Sequence, residues 1–465
     1  MNDPGAIVIV GAGPTGLGSA HRLQQLGARD FVVVDRNDVA GGLASSRVDE
    51  RGFTWDIGGH VQFSHYAEYD AVLDALPIEW LHHQRESWVW IKNRFVPYPF
   101  QNNVHRLDDA DRDRILDAMA AAAERRAGAP LPANFREWIL WSFGDGIAEM
   151  FLIPYNFKVW AYPPEMLSRS WVGDRVSVPD LERIRRNVRE QRDDVSWGPN
   201  NTFRFPKRGG TGAIWREVAK RIEPARLRFG DAVVAIDVDA RRVRLASGRE
   251  LRYDTLISAM PLPELCRIGS GIDAAARSAA DSLRFSSTHI VGVGLRGAPP
   301  PALARKCWMY FPEEQSPYYR VTVFSNYSPH NVPDGGHWSL LAEVSESPLK
   351  PVDSARLFDD VVAALRRDRL VGDDDEIVSR WSHFERYGYP TPTVDRDAAL
   401  LPLLAELERH RIFSRGRFGA WKYEVSNQDH SFMQGVELVN RLAGVGEEQT
   451  IVRPDYVNGG AFLKR

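Results

Sequence analysis

Two adjacent glycines and a histidine form the segment of this sequence that is best suited to chemistry on a flat ring. Gly58 and Gly59 lack side chains, so their backbone can lie close to a planar group. His60 and Ser64 then bring polar groups into a segment that also holds a valine and a phenylalanine. We interpret this combination as a sign of flavin chemistry rather than of a bare nucleotide site.

A nucleotide-binding fingerprint precedes that segment. The β-branched run Ile7–Val10 predicts a strand, the sequence GAGPTG predicts a tight turn, and residues 17–26 predict a helix. Glycines in such a turn let a pyrophosphate approach backbone N–H groups and the positive end of the helix. The candidate glycines are Gly11, Gly13 and Gly16.

An acidic residue and a second glycine pair indicate which nucleotide is expected. Asp35 ends the second predicted strand, Phe31–Val34, and is placed to accept the ribose hydroxyls. Gly41 and Gly42 follow it, and an extended FAD, unlike a nicotinamide dinucleotide, runs past several such loops. Three glycine-bearing segments in order therefore predict FAD. The alternative is that both glycine pairs only end strands.

The composition argues against several other classes of function. Acidic and basic residues nearly balance over 465 residues, with a formal net charge of −3, so no basic field for nucleic acid stands out. Cys266 and Cys307 provide neither a disulfide framework nor metal-ligand spacing, and we expect no metal. The first apolar run is too short for a signal core. We expect a cytoplasmic protein without a membrane span, and homo-oligomers stay possible.

The expected fold class is α/β with α+β inserts: a Rossmann-like FAD-binding domain, a helical insert and an antiparallel β-sheet domain. The glycine segments resemble those of the glutathione-reductase-like FAD fold that amine oxidases use. The predicted domains are a discontinuous FAD-binding domain over 1–80, 200–275 and 405–465, a helical domain with mobile loops over 103–199, and a substrate domain over 81–102 and 276–404.

Patterns inside the two inserts predict individual elements. Residues 108–127 predict a helix with acids early and arginines late, which suits the helix dipole. The Arg-rich stretch 182–194 favours a mobile segment. Alternating or apolar runs predict strands at 88–96, 290–295, 319–325 and 338–344.

Four longer motifs carry a more specific resemblance. Together with the glycine segments, they resemble the UDP-galactopyranose mutase family. Three further stretches are more similar to the eukaryotic branch than to the usual bacterial one: GGHVxFSHY at 58–66, SWGPNxTFRFPxRGGTG at 196–212 and VFSNYSP at 323–329. The resemblance extends from about Ile7 to Gly459. The motifs are PYPFQNN at 97–103, PYNFKVW at 154–160, GRFGAWKYE at 416–424 and NQDHSF at 427–432.

The resemblance implies a redox-neutral reaction on a nucleotide sugar. UDP-galactopyranose and UDP-galactofuranose are interconverted through attack of N5 of reduced FAD on the anomeric carbon, while UDP leaves. NADPH or NADH would serve only to reduce the flavin. A small-molecule substrate of this kind needs fork-shaped cationic donors for its diphosphate.

The resemblance also implies residue roles at matching positions. Catalytic roles fall to His60, Arg175 and Arg320. Cofactor-binding roles fall to Gly11, Gly13, Gly16, Asp35, Gly42, Gly59, Arg417 and Gln428. Substrate-binding roles fall to Tyr98, Phe100, Gln101, Asn156, Trp160, Asn200, Tyr310, Tyr389, Tyr423 and Asn427, and contacts with NADPH fall to Arg85 and Ser87.

Several of these residues have a simpler interpretation when each is taken alone. An isolated arginine is usually a surface or salt-bridge residue, and an isolated histidine is usually structural. Phe100 and Trp160 also fit core packing, and Asn200 also fits a turn. Arg85 and Ser87 also fit an exposed strand face.

Three alternative functions stay open at this point. A flavin oxidase or desaturase of the amine-oxidase-like fold explains the cofactor motifs but gives no role to the paired arginines. A mutase acting on a different nucleotide sugar explains both. A noncatalytic protein resembling the GDP dissociation inhibitors shares the fold without flavin turnover.

Overall fold

The computed structural model describes residues 6–126, 128–173, 176, 180–195, 198 and 200–459. The strands are β1 Ile7–Val10, β2 Phe31–Val34, β3 Ser46–Val48, β4 Thr54–Asp56, β5 Trp80–Gln84, β6 Ser87–Ile91, β7 Arg94–Pro97, β8 Thr202–Pro206, β9 Leu227–Arg228, β10 Val233–Asp237, β11 Arg242–Leu245, β12 Glu250–Arg252, β13 Thr255–Ser258, β14 Gly269–Ser270, β15 Phe285–Arg296, β16 Trp308–Tyr310, β17 Arg320–Val323, β18 His337–Glu346, β19 Ile377–Pro390 and β20 Ile412–Ser414. The helices are α1 Pro14–Gln25, α2 Ala67–Asp74, α3 Asp109–Arg126, α4 Phe135–Ile147, α5 Ile153–Trp160, α6 Leu181–Glu190, α7 Gly212–Lys220, α8 Leu262–Ile268, α9 Ala274–Ser282, α10 Leu357–Arg367, α11 Arg396–Arg409, α12 Gln428–Leu442, α13 Gln449–Val452 and α14 Pro454–Asn458.

A five-stranded parallel sheet has the strand order β20-β13-β1-β2-β9. β1 is a run of four buried aliphatic residues, as expected for a parallel strand that is covered on both faces. Ile7 and Ile9 contribute to a core shared with α1, α7 and α12, whereas Val8 and Val10 contribute to a core shared with α8, α9 and α11. This alternation produces the helix–sheet–helix layers of the expected α/β class, which is confirmed.

A seven-stranded sheet has the order β19-β15-β18-β17-β16-β6-β7. Its neighbouring strands are antiparallel except for β16 and β6, which run parallel, so the sheet is mixed rather than purely antiparallel. The stretch 88–96, which the sequence predicts as one strand, forms β6 and β7. Lys92 and Asn93 turn the chain between them with positive φ angles of 49° and 58°.

The described residues between β7 and β8 in the sequence form mainly helices, α3 to α6. The helix predicted over 108–127 is confirmed as α3, with acidic residues in its first turn and Arg125 and Arg126 in its last. The stretch predicted as mobile instead holds most of α6. Asp180 caps that helix by accepting the N–H of Arg183, and Ile184 is fully buried.

The remaining sheets of the described residues are small: the four-stranded β12-β11-β10-β14 and the pairs β3-β4 and β5-β8. The predicted domain edges at 80/81, 275/276 and 404/405 fall inside β5, α9 and α11, and the division into three domains stays a prediction. Among the described residues, no helix is both long and apolar enough to cross a membrane.

Candidate active site

A cavity of about 1070 Å³ lies between the carboxyl ends of the parallel strands and the seven-stranded sheet. Gly11 and Asp35 line it beside the parallel sheet, and Tyr98, Tyr155 and Arg320 line it on the other side. Ligands of α/β proteins usually bind at this edge of the sheet. The volume reaches the upper end of the roughly 300–1,000 Å³ found for ordinary ligand sites. The cavity therefore has room for an extended molecule.

Backbone groups form the cavity wall at the start of α1. Gly11 adopts a φ of +104°, which turns the chain after β1, and its N–H donates to the carbonyl of Val34 at 2.8 Å. Gly13 is the N-cap of α1 and has no side chain with which to accept the N–H groups of the first turn. Those groups and the helix dipole are the ordinary components of an anion-binding site.

The glycines of this turn have different physical roles. A Cβ on Gly16 would lie 1.8 Å from the carbonyl oxygen of Gly11, so Gly16 is needed for the packing of α1. Gly16 itself does not line the cavity. A Cβ on Gly13 would come no closer than 3.7 Å to a protein atom, at the carbonyl oxygen of Gly41. The fold therefore tolerates a methyl group at Gly13, where the open space belongs to the cavity.

Asp35 is buried and fixed at the edge of the cavity. One carboxylate oxygen accepts the N–H of Ala12 at 2.6 Å, and the other accepts the N–H of Asn37 at 2.7 Å. Each oxygen keeps further acceptor capacity for a ligand hydroxyl. Arg36 and Val233 also line this part of the cavity, although the sequence analysis did not single them out.

The Gly58–His60 segment packs against the seven-stranded sheet. Gly58 has a φ of +101°, and the N–H of Gly59 donates to Glu343 at 3.0 Å. A Cβ on Gly59 would lie 2.7 Å from the hydroxyl of Thr322. The glycine at position 59 is therefore required by contact with protein, whereas the sequence interpretation explained it by contact with a ring.

His60 lines the cavity and is half-buried. Its Nδ1 atom is inaccessible to water and has no hydrogen-bond partner among the described residues. Burial lowers the pKa of His60 to about 4, where the charge of Glu343 opposes the shift and those of Arg320 and Arg417 add to it. The imidazole is thus neutral near pH 7.

The partly buried Arg320 and the buried Glu343 form an ion pair at the cavity wall. Arg320 Nε and Nη2 donate to the two carboxylate oxygens at 2.7 and 2.8 Å, and the hydroxyl of Tyr319 donates to Oε2 at 2.8 Å. Burial favours the neutral acid, but Arg320 and the hydrogen bonds outweigh it and lower the pKa of Glu343. The pair is therefore charged, and the Nη1 group of Arg320 lies outside it.

Aromatic rings form a tyrosine wall on the same side of the cavity as Arg320, which pairs with Tyr310 across β17 and β16. Tyr310 contacts Tyr98 and Tyr155, with ring centroids 5.2 Å apart in each pair. Tyr389 and Tyr423 lie 5.9 Å apart, and Trp160 meets Tyr423 edge to face at 4.7 Å. Burial raises the pKa of the tyrosine hydroxyls that line this wall, so they are protonated donors at neutral pH; they are Tyr98, Tyr155, Tyr310 and Tyr389.

Arg85 and Asn200 meet each other at the cavity. Arg85 Nη1 donates to the side-chain oxygen of Asn200 at 2.6 Å, and its guanidinium lies 5.5 Å from the ring centroid of Tyr98. The residue predicted for NADPH therefore contacts two residues predicted for substrate. Arg175, the other predicted diphosphate arginine, lies outside the described residues.

Arg417 and Gln428 line the cavity from the C-terminal part of the chain. The guanidinium of Arg417 donates to the carbonyl of Gly388 at 2.9 Å and to the hydroxyl of Ser426 at 2.8 Å, and it lies 4.9 Å from the ring centroid of Tyr389. Gln428 begins α12 and accepts the indole N–H of Trp215 at 2.7 Å. Both side chains are thus held in place by protein.

Most of the residues predicted from the sequence line this one cavity. They are Gly11, Gly13, Asp35, Gly42, Gly59, His60, Arg85, Tyr98, Gln101, Asn156, Trp160, Asn200, Tyr310, Arg320, Tyr389, Arg417, Tyr423, Asn427 and Gln428. Gly16, Ser87 and Phe100 do not. Ser87 is buried in β6, and Phe100 is fully buried with its ring 5.0 Å from that of Phe151.

The sequence analysis missed three residues that define the site: Glu343, Tyr319 and Tyr155. Glu343 lies in the apolar run LLAEV, and an acid in the middle of a buried strand signals a buried partner. The identity of that partner depends on the register between β17 and β18, which local sequence does not give.

Comparison with known proteins indicates the family to which this chain belongs. A model for flavin containing amine oxidoreductases matches residues 14–435. A solved structure of a reduced UDP-galactopyranose mutase is 50% identical over 98% of this chain and 97% of that one, with a TM-score of 0.95. The chain belongs to the UDP-galactopyranose mutase family.

More distant structures share the fold alone. A fatty acid isomerase from P. acnes that produces CLA is 13% identical, with a TM-score of 0.67, over 95% of this chain and 99% of that one. A putrescine oxidase bound to putrescine is 16% identical, with a TM-score of 0.65 and the same coverage of both chains. The resemblance drawn from the sequence motifs is therefore confirmed at the level of the mutase family, within the wider flavin fold.

Proposed function

We propose that the protein is a flavin-dependent mutase that interconverts UDP-galactopyranose and UDP-galactofuranose without net oxidation. The observation that carries this proposal is a single cavity that joins the open N-terminus of α1 to the Arg320–Glu343 pair and the tyrosine wall. The 50% identity with a mutase supports the choice of reaction.

The side of the cavity at α1 fits FAD. Its first helical turn offers N–H groups to a pyrophosphate, the open space at Gly13 admits one, and Asp35 offers acceptors to a ribose. When bound in its reduced form, FAD supplies a nucleophilic N5 nitrogen for the anomeric carbon of the sugar. Arg417 and Gln428 are the proposed contacts from the C-terminal part of the chain.

Arg320 is the proposed anchor for the substrate diphosphate. Glu343 engages its Nε and Nη2 atoms, which leaves the two N–H bonds of Nη1 for phosphate oxygens. Negative charge grows on the diphosphate as UDP leaves, and a cation fixed in a buried site stabilises that charge. Arg175 stays a prediction for the same task.

The tyrosine wall suits a uridine and a sugar. The rings of Tyr98 and Tyr155 offer faces for uracil, and the amide of Gln101 can read its polar edge. Hydroxyls of Tyr310, Tyr389 and Tyr423 are donors for sugar or phosphate oxygens. The remaining substrate contacts are proposed at Asn156, Trp160, Asn200 and Asn427, all of which line the cavity.

His60 is proposed as a neutral hydrogen-bonding group beside the flavin. A pKa of about 4 leaves the ring without charge at working pH, so it does not compete with Arg320 for the diphosphate. NADPH or NADH is the proposed reductant, and Arg85 is the proposed contact for it at the cavity wall. A cytoplasmic location and a possible homo-oligomer stay predictions.

The proposal is tested by product analysis with oxidised and with dithionite-reduced holoprotein under anaerobic conditions. Reduced protein should interconvert UDP-galactopyranose and UDP-galactofuranose, and oxidised protein should not. A panel of UDP- and GDP-sugars then tests the choice of sugar and nucleotide. Consumption of oxygen or another acceptor in proportion to product would instead support an oxidase. Absence of interconversion in the reduced state would refute the proposal.

A further inference from the structure

Glu343 contacts three separate parts of the site at once. Its Oε1 atom accepts the N–H of Gly59 at 3.0 Å and Nε of Arg320 at 2.7 Å. Its Oε2 atom accepts Nη2 of Arg320 and the hydroxyl of Tyr319, each at 2.8 Å. Tyr319 in turn meets the hydroxyl of Tyr389 at 3.5 Å. One carboxylate therefore joins the Gly58–His60 segment to residues proposed to bind substrate.

The position of this carboxylate is fixed by the seven-stranded sheet. Glu343 lies directly opposite Arg320 in the register of β17 and β18, and opposite Ile290 in the register of β15 and β18. A residue in a central strand with neighbours on both sides has little freedom to move. The Gly59 backbone and the Arg320 guanidinium are thus attached to a common, rigid acceptor.

We propose that Glu343 is a positioning residue that couples the Gly58–His60 segment to Arg320. The inference rests on the proposed function, in which that segment borders the flavin and Arg320 holds the diphosphate. Gly59 and Arg320 share one oxygen atom, so a diphosphate that attracts the guanidinium weakens one contact to Oε1 and strengthens the other. Binding on the substrate side therefore changes the hold on the flavin side.

The coupling has a measurable consequence because reduction changes the hydrogen bonding of a flavin. The N5 atom of an oxidised flavin accepts a hydrogen bond, whereas in the reduced form it carries a hydrogen and donates one. Backbone groups beside the ring must respond to that change, and Glu343 transmits the response to Arg320. UDP should therefore bind with different affinity to the two redox states, and by linkage it should shift the flavin midpoint potential.

The experiment measures the dissociation constant of UDP for oxidised and for dithionite-reduced holoprotein, together with the midpoint potential with and without UDP. In the unmodified protein we expect the two dissociation constants to differ at least about fivefold, the lower range of ordinary coupling. In Glu343→Gln we expect the ratio to fall to within about twofold of unity, and the potential shift to shrink accordingly.

Two further variants make the test specific. Glu343→Asp keeps the charge but is one methylene shorter, so its carboxylate does not reach the position at which one oxygen accepts from both Gly59 and Arg320. This variant should also lose the coupling, and it provides the test if Glu343→Gln does not fold. Asp368→Asn removes another buried carboxylate, which accepts the hydroxyls of Tyr318 and Ser316 at 2.5 and 2.6 Å away from the cavity. It should retain the ratio of the unmodified protein.

Equal UDP affinity for both redox states of the unmodified protein would overturn the inference. An unchanged ratio in the Glu343 variants, or an equal loss in Asp368→Asn, would also overturn it. Interconversion of the two UDP-sugars is assayed on the same unmodified sample. If interconversion is present and the coupling is absent, only the inference fails, whereas absent interconversion counts against the proposed function itself.

Discussion

The two sides of the cavity present different kinds of groups to a ligand. The side at α1 consists of backbone: the turn at Gly11, the open first turn after Gly13 and two N–H groups that fix Asp35. The side at the seven-stranded sheet consists of side chains, among which Arg320 and Glu343 are central. Backbone sites are encoded by short contiguous sequence, whereas side-chain sites depend on how distant strands align.

The two sides also bind charge in different ways. At α1, an anion would meet partial positive charges of N–H groups and of the helix dipole, which need no counter-ion. At the sheet, the full charge of Arg320 is paired with the carboxylate of Glu343. Removal of either partner would leave an uncompensated charge away from water, which costs free energy. Ligand binding at the first side therefore requires that the space beside the N–H groups stays open, and binding at the second side requires that Arg320 keeps its charge partner.

The largest effect is expected from Gly16→Val on the backbone side. The added Cβ would lie 1.8 Å from the carbonyl oxygen of Gly11, so the turn or α1 must move. We expect the purified variant to lose FAD, with a fall in affinity of more than about 100-fold, and to unfold at lower temperature. Absorbance of bound flavin and thermal unfolding measure both effects.

Gly13→Ala tests FAD binding separately from folding stability on the side of the cavity at α1. Its Cβ meets no protein atom within 3.7 Å, so the melting temperature of the apoprotein should stay unchanged. The methyl group occupies space proposed for the pyrophosphate, and FAD affinity should fall about 10-fold or more. A variant that binds FAD normally would show that the pyrophosphate does not lie at this turn.

The next largest effect is expected from Arg320→Lys on the side-chain side. Lysine keeps the charge but cannot donate to both oxygens of Glu343 and to a phosphate in one plane. We expect kcat/KM for the UDP-sugar to fall roughly 100-fold, comparable to the loss of one fixed donor from an active site, while FAD is retained. Steady-state kinetics and the flavin spectrum test this expectation.

A matched control is available at the surface. Arg296 and Glu376 also form a two-point ion pair, at 2.6 and 3.2 Å, but both side chains are more than half exposed. Arg296→Lys should change kcat/KM by less than about twofold, because exposed pairs contribute little. Similar losses in both variants would contradict the assignment of the diphosphate to Arg320.

The same contrast explains how much the sequence could predict. The strand, turn and helix at 7–26 follow from local patterns, and the structure has them as β1, the Gly11 turn and α1. Arg320 was found only through resemblance, and Glu343 was missed. Arg320, the partner of Glu343, lies 23 residues away on a neighbouring strand. The register of β17 and β18 within the seven-stranded sheet sets that pairing. Single-strand patterns carry no information about such a register.

The α6 region shows a second limit of local reasoning. Its composition is charged, which favoured a mobile segment, yet Arg183 binds Asp194 at 2.5 and 2.6 Å, and Asn187 is fully buried. Asn103 holds the chain after α6 by accepting the N–H of Asp194 at 2.8 Å. Long-range contacts of this kind order a polar helix whose own sequence gives it few apolar contacts.

A smaller effect is expected from pH, through His60. Burial first, with Arg320 and Arg417, lowers its pKa to about 4, whereas an unfolded histidine titrates near 6.5. Between these values the unfolded chain binds a proton that the folded chain excludes, so stability falls as pH drops from about 6.5 to 4. His60→Asn should show a shallower fall in melting temperature over that window.

Exposed His82 provides the control for this prediction. His82→Asn should leave the pH dependence of the melting temperature as it is in the unmodified protein. The neutral state of His60 also predicts that its ionisation produces no step in activity between pH 6 and 9. An identical acid slope in His60→Asn and the unmodified protein would show that this imidazole is not shielded as the cavity geometry indicates.

The smallest effect on activity is expected from Phe100→Leu, which tests whether the sequence prediction of a substrate contact holds at a residue outside the cavity lining. Phe100 is fully buried against Phe151, so its substitution should cost about 1 kcal/mol of stability, typical of a modest loss in core packing. KM for the UDP-sugar should change less than about twofold.

Gln101, the neighbour of Phe100, lines the cavity. Gln101→Leu should raise KM about 10-fold because a leucine cannot hydrogen-bond to uracil. Chemical denaturation and steady-state kinetics on both variants separate packing from recognition, and a larger rise in KM for Phe100→Leu than for Gln101→Leu would return Phe100 to the substrate site.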